Sequence, residues 1–152
     1  MKGIAVVLPR VLVIDDDPAI QSLLRSVLED EGYQVLSAAS TVHPVDVSQL
    51  HPALIILDVW LDGDDSGWGL LKELKVTPGA RQIPVMLCTG DGGLLTREAN
   101  RIDALAAGIL RKPFDLDDVV ARVAACVPAA PRSGSSPGSW HGLEETRDAG
   151  AP

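Results

Sequence analysis

Short apolar runs alternate with stretches of helical periodicity five times along this chain, and that alternation limits its fold more than any other feature. The runs stand at residues 11–14 (VLVI), 34–38 (QVLSA), 53–57 (ALIIL), 84–88 (PVMLC) and 109–111. They are too short for buried helices and rich in β-branched residues, so they read as strands covered on both faces. After the first run, Asp17 and Pro18 supply a helix N-cap and a proline at the first helical position. Ile20, Leu23, Leu24, Val27 and Leu28 then fall at helical spacing, and Gly32 ends that helix. Leu70, Leu71 and Leu74 mark the inner face of a helix over 68–75, and Leu95, Ala99, Ile102 and Leu105 mark another. Leu116, Val119, Val120, Val123 and Val127 mark a closing helix capped by Asp115. Pro44 and its β-branched neighbours predict a short or irregular helix between the second and third strands. Right-handed crossovers between parallel strands then place helices on both faces of one sheet, an α/β architecture of (βα) repeated five times.

At 152 residues, with 46% of positions apolar, the chain can bury one core. Aromatics are scarce, so that core must be aliphatic. Acidic residues outnumber basic ones by 21 to 13, which argues against direct nucleic-acid binding and leaves no polybasic membrane patch. Cys88 and Cys126 lie outside any CxxC spacing and read as buried reduced thiols, which fits a cytoplasmic location. The apolar start of the chain is broken by Pro9 and lacks a signal-peptide cleavage site, and no segment approaches the ~20 apolar residues of a membrane helix. The expected organisation is an N-terminal extension over 1–9, a folded domain over 10–127 and a disordered Pro/Gly/Ser-rich tail over 128–152 with no second domain following it.

In an open parallel sheet, sites form at the carboxyl ends of the strands. The first strand runs into Asp15, Asp16 and Asp17, the third into Asp58, the fourth into Thr89 and the fifth into Arg111, Lys112 and Pro113. Taken singly, Asp17 is a helix cap, Thr89 a β-branched strand residue and Lys112 a solvated charge beside a turn proline. Together they place Asp15, Asp16 and Asp58 in one pocket, and carboxylates that close need a cation among them. Mg2+ suits a site of one or two carboxylates, waters and a phosphate oxygen. Lys112 adds a mobile positive charge, and the Thr89 hydroxyl can donate to a phosphoryl oxygen. Asp58 is then the candidate nucleophile of a phosphoryl-transfer site, ionised at neutral pH and in need of no general base.

At these residues the sequence resembles the receiver domain of two-component response regulators. VLVIDDDP resembles the family's strand and acidic pair, IILDVW its phosphoacceptor strand, VMLCTG its Thr/Ser strand and ILRKPF its Lys-Pro segment. The resemblance implies a flavodoxin-like doubly wound fold with a five-stranded parallel sheet. It also implies that Asp58 accepts phosphate from a histidine kinase or histidine phosphotransfer protein. Asp16, Asp58 and the Trp60 carbonyl would bind Mg2+ directly, Asp15 would act largely through water, and Thr89 and Lys112 would hold the phosphoryl group. The output would go to a separate downstream protein or to a second copy of the chain.

The chain departs from the family's pattern at three places. The loop after the phosphoacceptor is LDGDDSG, one residue longer than usual and carrying Asp62, Asp64 and Asp65. Ile109 stands where many relatives have an aromatic switch, which excludes signalling by a ring flip there. Trp60 and Asp91 occupy positions that in the family tune hydrolysis of the aspartyl phosphate, and a bulky ring and an extra negative charge would both hinder water. Three other readings compete. A haloacid-dehalogenase-type phosphatase needs a second acid two residues after its nucleophile, where Trp60 stands. A flavodoxin-like cofactor carrier needs a Gly/Ser/Thr-rich phosphate cradle, which no strand-end loop offers. A pseudo-receiver would not need Asp58, Thr89 and Lys112 intact.

Overall fold

The computed structural model describes residues 7–39, 41–59, 66–90 and 92–129. Five strands, β1 (Arg10–Ile14), β2 (Gln34–Ala38), β3 (Leu54–Asp58), β4 (Val85–Thr89) and β5 (Gly108–Arg111), form one parallel sheet in the order β2-β1-β3-β4-β5. The helices are α1 (Pro18–Asp30), α2 (Pro44–Leu50), α3 (Ser66–Lys75), α4 (Gly92–Arg97), α5 (Ala99–Leu105) and α6 (Leu116–Cys126). Strand pleating sorts the core into two layers. Val11, Val13, Ile56, Met86 and Leu110 face α1 and α6, whereas Leu12, Ile14, Ile55, Leu57 and Leu87 face α2, α3, α4 and α5. Strand order reverses between β1 and β3, so a crevice opens at their carboxyl ends.

Local signals were accurate where the determinants are local. Asp17 caps α1 by accepting from the Ala19 N–H, and Asp115 caps α6 by accepting from Asp117. Gly32 follows α1 with φ +100, a conformation glycine adopts without steric cost. α2 is short, at seven residues, as expected, although Pro44 occupies its first turn, where its missing N–H has no intrahelical partner to lose. The third and fourth strands each start and end one residue later than their apolar runs suggest, so Asp58 and Thr89 are terminal strand residues.

The helix expected around Leu95 to Leu105 is in fact two, α4 and α5, divided at Glu98 (φ −110, ψ 19). Leu94 and Ile102 are the buried positions. Eight residues apart, they would lie about 80° out of phase on a straight helix, and the bend at Glu98 turns both toward the sheet. Cys126 is half-buried rather than buried, and both cysteines are free. Among the described residues no helix is long and apolar enough to cross a membrane. The Tyr33 hydroxyl donates to the Val127 carbonyl at 2.6 Å, tying the end of α6 to the turn before β2. The expectations for residues 1–6, for Trp60, for the acidic loop with Asp62, Asp64 and Asp65, for Asp91 and for the tail beyond residue 129 lie outside the described residues.

Candidate functional site

Asp58 closes β3 and is 6% exposed at the floor of the crevice. One strand over, Asp15 follows β1 and is 2% exposed. Lys112 leaves the end of β5 with its N–H bonded to the Thr89 carbonyl at 3.0 Å, and this pins the start of its loop to β4. From there its ammonium reaches Asp58 Oδ2 at 3.1 Å and Asp15 Oδ2 at 3.2 Å. The other Asp15 oxygen, Oδ1, accepts the Asp17 N–H at 2.9 Å and so shapes the acidic turn. Thr89 is 1% exposed at the end of β4. The Lys112–Pro113 peptide bond is cis. The structure thus brings Asp15, Asp58 and Lys112 into direct contact and sets Thr89 beside them, while Asp16 lies exposed in the turn that follows Asp15.

Burial alone would lower the Lys112 pKa. The hydrogen bond to Asp58 and the charges of Asp15 and Asp58 outweigh it, and the ammonium is held above its ordinary range. Lys112 therefore stays charged at any physiological pH. Among the described residues, two buried carboxylates share one ammonium in this pocket. The side-chain acceptors of these residues are hard oxygens, the donor set that Mg2+ prefers. Among the described residues no three His, Cys, Asp or Glu side chains close on one metal-sized point. The residues present fit an ion held by a pair of carboxylates, with water and phosphate oxygens completing the shell.

Gly67 is the residue that sequence reasoning missed. A Cβ there would lie 2.0 Å from the Asp58 carbonyl oxygen and 2.8 Å from that of Val59. The Gly67 N–H also bonds the Val59 carbonyl at 3.1 Å. The first turn of α3 thus rests directly on the backbone that carries Asp58, an approach open only to glycine. Nothing local in the sequence distinguishes Gly67 from Gly69.

Cys88 pairs with Asp58 across β3 and β4 and is buried beneath the pocket. Burial, opposed by Lys112 and reinforced by Asp15 and Asp58, pushes its thiol from 9.0 up to about 12. The unfolded chain then loses this proton before the folded one does. The resulting stability is fully present below pH 9 and is lost as pH rises toward 12. Relative to Cys88→Ala, the parent should lose roughly 2 kcal/mol of unfolding free energy between pH 9 and 10.5. Denaturant titrations of both proteins across that range measure it. Parallel pH profiles would refute the shift.

Residues 11–124 match the model of the response regulator receiver domain, and the chain belongs to this family. It is 32% identical over 111 residues to sporulation initiation phosphotransferase F of Bacillus subtilis, covering 72% of this chain and 86% of that protein. It is 37% identical over 119 residues to the DNA-binding dual master transcriptional regulator RpaA of Synechocystis, covering 78% of this chain. The chain spans 48% of RpaA and 24% of the nitrogen assimilation regulatory protein NtrX of Azorhizobium caulinodans. Among solved structures, the receiver domain of NtrX from Brucella abortus superposes with a TM-score of 0.66 at 28% identity, covering 77% of this chain and 97% of that one. The chemotaxis response regulator CheY4 of Vibrio cholerae, at 22% identity and a TM-score of 0.69, covers 80% of this chain and 100% of its own and shares the fold. The chain is a receiver module of two-component signalling, a class that works with histidine kinases or phosphotransfer proteins and is not in general a catalytic enzyme.

Proposed function

We propose that this receiver accepts a phosphoryl group on Asp58 from a phosphohistidine of a kinase or phosphotransfer protein. The contact that carries the reading is the single Lys112 ammonium shared by Asp58 and Asp15 at the carboxyl edge of the sheet. An Asp58 oxygen attacks phosphorus, the P–N bond to the donor imidazole breaks, and its electron pair leaves with the imidazole. Such transfers depend mostly on positioning and on neutralising the equatorial oxygens. Lys112 supplies one positive charge, and the Thr89 hydroxyl supplies a donor. Asp16, Asp58 and the Trp60 carbonyl would hold Mg2+, with Asp15 acting largely through water, and the ion would supply the rest of the neutralising charge. The folded unit is residues 10–127, which the family match over 11–124 supports. The phosphorylated domain signals by protein contact, to a downstream protein or a second copy, in the cytoplasm.

The expected result is that the parent chain, incubated with a small-molecule phosphodonor and Mg2+, gains the mass of one phosphoryl group. Asp58→Asn should gain none. An equally labelled Asp58→Asn would reassign the acceptor, and an unlabelled parent would make the chain a pseudo-receiver.

A further inference from the structure

The acidic turn after β1 is held by a residue outside the pocket. Gln21, half-buried near the start of α1, donates from Nε2 to the backbone carbonyl of Asp15 at 2.5 Å. Its own N–H bonds the Asp17 carbonyl at 3.0 Å. With the Asp17 N–H on Asp15 Oδ1, residues 15–17 are fixed from both the loop side and the helix side. A carbonyl fixed in this way cannot swing, so the plane of the Asp15–Asp16 peptide is set, and with it the directions in which both side chains leave the backbone. Three consecutive carboxylates repel one another, and a turn free to move would relax toward solvent. A cation would then have to reorder it, and its apparent affinity would fall by the fraction of turns in the competent form.

We propose that Gln21 is a positioning residue for the cation site: its amide holds the Asp15–Asp16 peptide in the orientation that Mg2+ requires. A neutral amide suits this role, because it donates a hydrogen bond without adding a positive charge that would compete with the metal. The proposal rests on the receiver reading above and deepens it.

The test is the rise in thermal midpoint of the full chain on adding Mg2+, measured over a range of concentrations in the parent, Gln21→Met and Gln21→Ala. Met keeps the length without the donor, and both substitutes are good helix formers, so α1 is preserved. Because metal bound only by the folded state raises the midpoint according to its concentration relative to Kd, the difference between midpoints with and without Mg2+ reports affinity separately from basal stability. Both variants should bind Mg2+ about 3- to 10-fold more weakly, at the low end for residues that orient metal ligands, since the site keeps most of its waters. A variant whose two midpoints fall together, leaving the Mg2+-induced rise as in the parent, would show a packing role only and overturn the proposal. A parent with no Mg2+-induced rise would instead overturn the receiver-site reading on which it stands.

Discussion

Gly67→Ala should lower the thermal midpoint by about 10 °C and impair phosphoryl acceptance, while Gly69→Ala, two residues along the same helix, should raise the midpoint by a few degrees. Helix propensity favours both changes by ~1 kcal/mol. At Gly69 nothing lies within 4 Å of the added Cβ, so the gain is kept. At Gly67 the added carbon would lie 2.0 Å from the Asp58 carbonyl oxygen, and the obstacle is backbone with no rotamer to yield. Overpacking of this kind costs roughly 3 kcal/mol, which exceeds the propensity gain. The strain is relieved only if α3 lifts or the Asp58 peptide turns, and either movement displaces Asp58 from Lys112. Calorimetry and intact-mass labelling of both variants check the pair. A Gly67→Ala midpoint at or above the parent's would disprove the contact.

Lys112→Met has the second large effect. The Lys112 side chain is 25% exposed while the Asp15 and Asp58 side chains are 3% and 8% exposed, so removing its ammonium leaves two desolvated carboxylates facing each other. Breaking a fully buried ion pair costs 3–5 kcal/mol; with the partial exposure of the lysine, about 2–3 kcal/mol is expected here at pH 7. Added Mg2+ should recover more midpoint in the variant than in the parent, because the metal then restores the missing positive charge. Labelling should drop sharply even so, since in the proposed function Lys112 neutralises phosphoryl oxygens that the metal alone does not cover. Denaturant titrations at pH 7, with and without Mg2+, decide it, and an equal deficit in both conditions would mean that the loss is one of packing.

These effects separate what the sequence by itself determined from what needed the tertiary structure. Element types and order followed from apolar runs and helical spacing, and the caps at Asp17 and Asp115 from residues two positions away, because such signals act within one turn of chain. The position of Asp58 at the end of a buried run was visible for the same reason. The family motifs made the pocket's members nameable. The bend at Glu98 was not legible, because it answers to where the sheet lies beneath α4 and α5 rather than to its own neighbours. The shared ammonium was beyond local reasoning too: Lys112 is 97 residues from Asp15 and 54 from Asp58, and only the order β2-β1-β3-β4-β5 gathers them. Gly67 and Gln21 were decided wholly by tertiary structure. One acts through a missing atom and the other through a carbonyl six residues back, and neither leaves a pattern that periodicity, charge or composition can register.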